Sequence, residues 1–126
     1  MLSRTRMIVL VGAAAAVLAM AAVSQASGAS HPMLIGVVGK NNAYKISLTF
    51  GGKVAKTLKA GTYTVVIHDD SAMHNYELDG PNGKSWTFTS VPFVGTKTFT
   101  LKLLAGKYKA YCSPHESVMF QHFTVA

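Results

Sequence analysis

Eight consecutive residues near the C-terminus, Cys112-Ser113-Pro114-His115-Glu116-Ser117-Val118-Met119, carry a thiol, an imidazole and a thioether. All three are soft or borderline metal ligands. Cys112 ends the alternating run Tyr108-Lys109-Ala110-Tyr111-Cys112, and Ser113-Pro114 turns the chain at once. A strand end thus fixes the sulfur, and a loop folds His115 and Met119 back towards it. One loop can offer three donors to one ion, and a fourth must come from elsewhere. His74, in Ser71-Ala72-Met73-His74-Asn75, is the obvious supplier. Two imidazoles, a thiolate and a weak axial thioether suit copper in an electron-transfer site, whereas zinc more often recruits further thiolates or histidines.

Each of these residues also has a plain structural use. Cys112 alone would read as a small buried hydrophobe, and Met119, between Val118 and Phe120, as core. His74 alone would read as a surface histidine in a polar loop, and Asn75 as a turn residue. Their combination is what favours ligation over packing.

With these residues in place, the pattern Cys112-Ser113-Pro114-His115 and Met119, with His74-Asn75 upstream, resembles the type 1 copper site of the cupredoxin (plastocyanin/azurin) family. The resemblance spans roughly residues 53–125. It implies one type 1 copper ion held by His74, Cys112, His115 and Met119. It also implies that Asn75 ties its loop by hydrogen bonds to the residue after the cysteine, here Ser113, and such outer bonds hold ligands in place. In the family the histidine of the ligand loop leads electrons to the surface through an apolar patch, which Pro114, Val118 and Pro92-Phe93 could build here. The spacing departs from plastocyanins: His115 and Met119 are separated by one residue fewer, and Gln121 and His122 stand where plastocyanins have small residues.

The elements that must position these donors begin after an export signal. Met1 to Arg6 is a short basic head, Met7 to Val23 an apolar and small-residue run, and Ser24-Gln25-Ala26 a peptidase-type site. Residues 1–29 are therefore expected to be a signal peptide, cleaved after 26 or 29, and 30–126 one copper-binding domain. The run is near the short limit of a membrane span, so an uncleaved anchor is the lesser alternative. Export places the domain in the periplasm or outside the cell. In such an oxidising compartment an isolated thiol is a liability unless something occupies it, and a metal would. Cleavage after Ser30 would make His31 an amino-terminal Cu(II) ligand, a second site disfavoured by the better cleavage positions. His68 and His122 read as strand residues.

A composition of 49 % hydrophobic and 13 % charged residues excludes a disordered chain. Arg4 and Arg6 lie in the signal, so the rest of the chain carries ten scattered lysines against five acidic residues, an excess of about five. Without arginine or a basic run among aromatics, nucleic acid is not an expected partner. A moderate positive field suits redox partner proteins with acidic docking surfaces. A monomer without stable membrane insertion after cleavage is expected.

Residues 33–125 read as seven or eight short strands with no helix: Met33 to Val38, then Tyr44, Ile46 and Leu48 on one buried face, and later Trp86-Thr87-Phe88-Thr89, Thr96 to Leu103 and Phe120 to Val125. Leu58-Lys59-Ala60-Gly61-Thr62-Tyr63 and Leu103-Leu104-Ala105-Gly106-Lys107-Tyr108 repeat L-x-A-G-x-Y, each turning into a strand that leads towards a proposed ligand. This predicts an all-β, Greek-key antiparallel sandwich or barrel of the cupredoxin kind, with Trp86, Phe88, Phe99 and Tyr108 as large core residues.

The function expected is single-electron shuttling between redox partners. The alternative is a periplasmic copper chaperone or buffer, although Met33, Met73 and Met119 do not form a methionine-rich tract. An enzyme is not expected, since the ligand set leaves no open position and no nucleophile-base-acid trio stands out.

Overall fold

The computed structural model describes residues 30–126, and the signal segment expected over 1–29, with its cleavage site, lies outside them. Ten strands follow in order: β1 (Met33–Val38), β2 (Ile46–Phe50), β3 (Lys53–Val54), β4 (Thr57–Leu58), β5 (Gly61–Asp69), β6 (Glu77–Asp79), β7 (Ser85–Thr87), β8 (Gly95–Leu103), β9 (Gly106–Tyr111) and β10 (Phe120–Val125). They form two five-stranded sheets, β3-β2-β1-β5-β8 and β4-β10-β9-β6-β7, so the connections β3 to β4, β4 to β5, β5 to β6, β7 to β8 and β8 to β9 each cross between layers. Helical structure among the described residues is limited to single 3-10 turns, and no helix is long and apolar enough to cross a membrane.

The sandwich is the one expected, with two differences. The count is ten because β3, β4 and β6 are only two or three residues long, too short for alternation to show in sequence. Two pairings, β1 with β5 and β4 with β10, are parallel, so each sheet is mixed rather than purely antiparallel. Both join strands distant in sequence, as a parallel pair requires a crossover.

Alternation dictates the core. Along β5 each second residue, Tyr63, Val65, Ile67 and Asp69, is buried, and β8 buries Leu101 and Leu103 on the same inner face. Opposite them lie Leu78, Tyr108, Ala110, Phe123 and Val125. Phe88 and Tyr108 are buried as expected, while Trp86 and Phe99 pack on the core from its margin. The sequence reading passed over Tyr76, which is 0 % exposed and donates its hydroxyl to the Ser47 carbonyl at 2.9 Å. Gly36 is its counterpart: a Cβ there would lie 2.8 Å from the Tyr76 ring and 2.5 Å from Ile67.

The repeated L-x-A-G-x-Y segments are two copies of one corner. Tyr63 donates its hydroxyl to the Lys59 carbonyl at 2.7 Å, and Tyr108 donates to Leu104 at 2.8 Å, each reaching back four residues. A tyrosine that closes its own strand entry in this way fixes the turn and gives a buried phenol its partner.

Register decides where the donors go. Glu77 of β6 and Phe120 of β10 both pair with Tyr111 of β9. The residues just beyond this row, His74-Asn75 before β6, Cys112 after β9 and Met119 before β10, therefore gather at one end of the sandwich.

Candidate metal centre

Cys112 leaves β9 wholly buried, and the loop after it closes on itself. The His115 amide donates to the Cys112 carbonyl at 3.1 Å, the Met119 amide to the His115 carbonyl at 2.9 Å, and the Cys112 amide to the Met119 carbonyl at 3.1 Å. Pro114 sits in the first turn, where its missing N–H costs nothing. Met119, 1 % exposed, is thus held beside Cys112 in backbone and packed into the core, whereas His115 remains partly open to solvent.

His74 arrives from the connection between β5 and β6. Ser71 shapes that loop: its hydroxyl accepts the Met73 amide at 3.2 Å, its carbonyl accepts the His74 amide at 3.3 Å, and its own amide donates to the Asp69 carboxylate at 3.3 Å. The result is a histidine at 0 % exposure despite its loop position. Asn75 follows, and its side chain joins the two loops: the Ser113 amide donates to Asn75 Oδ1 at 2.7 Å, and Asn75 Nδ2 donates to the Ser113 hydroxyl at 3.4 Å.

Three donor atoms converge. His74 Nδ1 lies 3.1 Å from His115 Nδ1, and Cys112 Sγ lies 3.7 Å from each. Metal bonds of about 2.0 Å to nitrogen and 2.3 Å to sulfur would require separations of roughly 3–4 Å between such atoms, so this triangle closes around one ion. His74, Cys112 and His115 are the group among the described residues able to do so with histidine, cysteine or acidic donors. A histidine pair, one thiolate and a thioether residue alongside make up the donor set of a type 1 copper site.

Electrostatics agrees with an ion-binding role. Burial pushes the Cys112 thiol above its ordinary range, partly offset by the nearby Asn75 and His115 amides. Burial, then the neighbouring His115, pushes the His74 imidazole down. A neutral imidazole is the form that binds metal, and a thiol must lose its proton to do so. Among the described residues, two buried side-chain polar atoms lack a hydrogen bond of ordinary geometry, Asp69 Oδ2 and His74 Nε2, and both belong to this end of the molecule. The buried polar residues among those described gather there too: Asp69 ends β5, Ser71, His74 and Asn75 follow in the connection to β6, and Thr89 accepts the Tyr76 amide at 2.8 Å.

Other residues fall differently from expectation. Val118, at 65 % exposure, and Pro114 face solvent beside His115, but Phe93 packs under the Lys97 ammonium, 4.4 Å from its ring centre. Tyr44 does not enter the core face of β2. The strand starts at Ile46 because Gly39 N–H donates to Lys45 O at 3.0 Å, closing a loop that leaves Tyr44 54 % exposed against both imidazoles. Gln121, whose place after the ligand loop was puzzling in sequence, bonds to the Leu48 amide at 2.9 Å and to the Leu48 and Ala55 carbonyls at 3.0 Å each, tying β10 to the opposite sheet. His68 bonds to Thr96 within the first sheet, and His122 packs on Phe120, so both act structurally. His31 is exposed.

No protein-family model matches the chain, and no curated protein matches it by sequence. Solved structures do match. A rusticyanin variant is 18 % identical with a TM-score of 0.55, covering 75 % of this chain and 76 % of its own. A second structure, described as the copper protein rusticyanin, is 19 % identical with a TM-score of 0.54 and the same coverage. Rusticyanin from Thiobacillus ferrooxidans is 20 % identical with a TM-score of 0.51, again covering 75 % and 76 %. The chain therefore has the cupredoxin fold, with a donor group of the type 1 copper kind gathered at one end of its two sheets.

Proposed function

We propose that the protein would hold one copper ion through His74, Cys112, His115 and Met119, and carry single electrons between redox proteins. The observation that carries this reading is the triangle of two imidazole nitrogens and one sulfur at 3.1, 3.7 and 3.7 Å, built from the loop that precedes β6 and the loop that follows β9. Copper would supply a one-electron couple that such mixed soft and borderline donors tolerate in both states.

The chain's own residues do the rest. Cys112, released of its proton, contributes the anionic donor, and the 0 % exposure of both Cys112 and His74 keeps water from the centre. Asn75 and Ser113 lock the two ligand-bearing loops, so the ligands need not rearrange when charge changes. His115, partly exposed with Val118 beside it, is the exit towards a partner. The lysine excess suits partners with acidic docking surfaces, met briefly by a monomer. Export through residues 1–29 would put this activity in the periplasm or outside the cell.

Copper delivery is the second reading. The closed loop and the deeply packed Met119 favour retention over delivery, because a donor for another protein needs ligands that open. Four protein donors leave no position for substrate, which favours a carrier over an enzyme.

Adding Cu(II) to the purified domain should produce an intense visible thiolate-to-copper band, absent in Cys112→Ser. A parent protein without that band would end the electron-carrier reading. Repeated oxidation and reduction without loss of copper to an acceptor separates carrier from chaperone.

A further inference from the structure

The loop from Gly39 to Lys45 supplies no donor, yet it covers the donors. It starts with Gly39 at φ 69°, where a Cβ would meet Ser71 at 2.5 Å and His74 Cδ2 at 2.9 Å, so the backbone itself lies against the first imidazole. Asn41 and Asn42, both at φ 56°, continue the left-handed turn, a conformation asparagine accepts more readily than most residues. Bonds from the Asn42 amide to Gly39 O at 2.9 Å and from Ala43 to Lys40 O at 3.1 Å hold it closed. This rigid loop presents Tyr44. Its ring centre is 5.0 Å from that of His74 at 75°, and 4.7 Å from that of His115 at 73°. The imidazoles are themselves 4.9 Å apart at 72°. Three rings thus meet edge to face, and one comes from outside both ligand-bearing loops.

We propose that Tyr44 is a positioning residue for the metal centre, a fixed lid whose ring braces both histidine ligands and slows the passage of ions and solutes to Cys112. Edge-to-face contacts of this geometry are attractive beyond simple burial. A ring touching two ligands at once resists the rotation of either. It also lies against His115, which is partly open to solvent. The inference rests on the copper reading for its metal readout but not for its thiol readout.

Two variants and two measurements test it. In copper-free protein, the reaction of Cys112 with a water-soluble aromatic disulfide should speed up roughly tenfold in Tyr44→Ala and stay within about twofold in Tyr44→Phe, the scale expected for losing two ring contacts against losing none. In copper-loaded protein, transfer of copper to an excess of a soluble chelator should follow the same order, with the visible band altered in Tyr44→Ala. Tyr44→Leu, which keeps apolar bulk without an aromatic edge, replaces the alanine variant should that one fail to fold. A thiol rate unchanged in Tyr44→Ala, or a phenylalanine variant as fast as alanine, would overturn the proposal. A parent protein that takes up no copper ends the functional reading, while the thiol rates still decide the role of Tyr44.

Discussion

Asn75 and Ser113, 38 residues apart in sequence, are joined by two hydrogen bonds that clamp the loop carrying His74 to the loop carrying Cys112, His115 and Met119. One of them, to the Ser113 amide, is short at 2.7 Å.

Asn75→Ala is accordingly expected to leave the Ser113 amide unpaired and to cost about 1–2 kcal/mol in the copper-free protein. For a domain of this size that is a fall of roughly 5–15 °C in the thermal midpoint. Calorimetry of the copper-free variant checks it, and an unchanged midpoint would show that the clamp does not hold the loops.

Copper affinity should depend on pH through Cys112. Burial keeps its thiol protonated beyond the ordinary range, so at neutral pH each ion bound must displace that proton. Affinity is then expected to fall about tenfold per pH unit as pH drops through the range from roughly 8 to 6. His74 is depressed and stays neutral below the usual imidazole range, so its proton adds to the slope only at lower pH. Competition titrations against a chelator of known proton affinity measure this, and a profile flat in pH would remove the sulfur from the ligand set.

Asp69 is 0 % exposed, and burial raises its pKa against the lowering effect of the neighbouring Thr89 hydroxyl and Ser71 amide. A carboxyl whose folded-state pKa lies above its unfolded value favours folding only while protonated in the fold, and that contribution is lost as pH rises through the folded value. Above the ordinary carboxylate pKa the raised value therefore costs stability relative to acid pH. Asp69→Asn should raise the stability of the copper-free protein at neutral pH, with the gain shrinking towards zero as pH falls below the ordinary carboxylate pKa. Urea unfolding at neutral and acid pH tests the sign, and a less stable variant at neutral pH would contradict it.

Gln121 satisfies an amide and two carbonyls of the facing sheet with one side chain. Gln121→Ala leaves these three groups to find water at a half-buried edge and is expected to cost about 2–3 kcal/mol. Because residue 121 lies two positions after Met119, the loss should also loosen the C-terminal end of the ligand loop. Denaturant unfolding measures the first effect, and amide hydrogen exchange at residues 117–121 the second. Wild-type stability would mean that water replaces the amide without penalty.

Much of the site was legible in the chain because it is local. Cys112, His115 and Met119 lie within eight residues, a proline turn sets their return, and alternation in β8, β9 and β10 shows which faces meet in the core. The L-x-A-G-x-Y repeat was visible, though its meaning, two tyrosines each bonding a carbonyl four residues back, needed side-chain geometry. The strand count fell short because β3, β4 and β6 are too brief to carry a period.

The sequence by itself determined donor chemistry, the strand-rich class and the loop that gathers three of the donors, since all of these follow from residue types at short spacing. Tertiary structure alone decided that His74 Nδ1 comes within 3.1 Å of a ring 41 residues away, that Tyr44 turns outward onto both imidazoles, and that Gln121 reaches Ala55 and Leu48, 66 and 73 residues earlier. The reason is register. Glu77, Tyr111 and Phe120 fall in one row only once β6, β9 and β10 pair, and no pattern within a single strand fixes which residue stands opposite which.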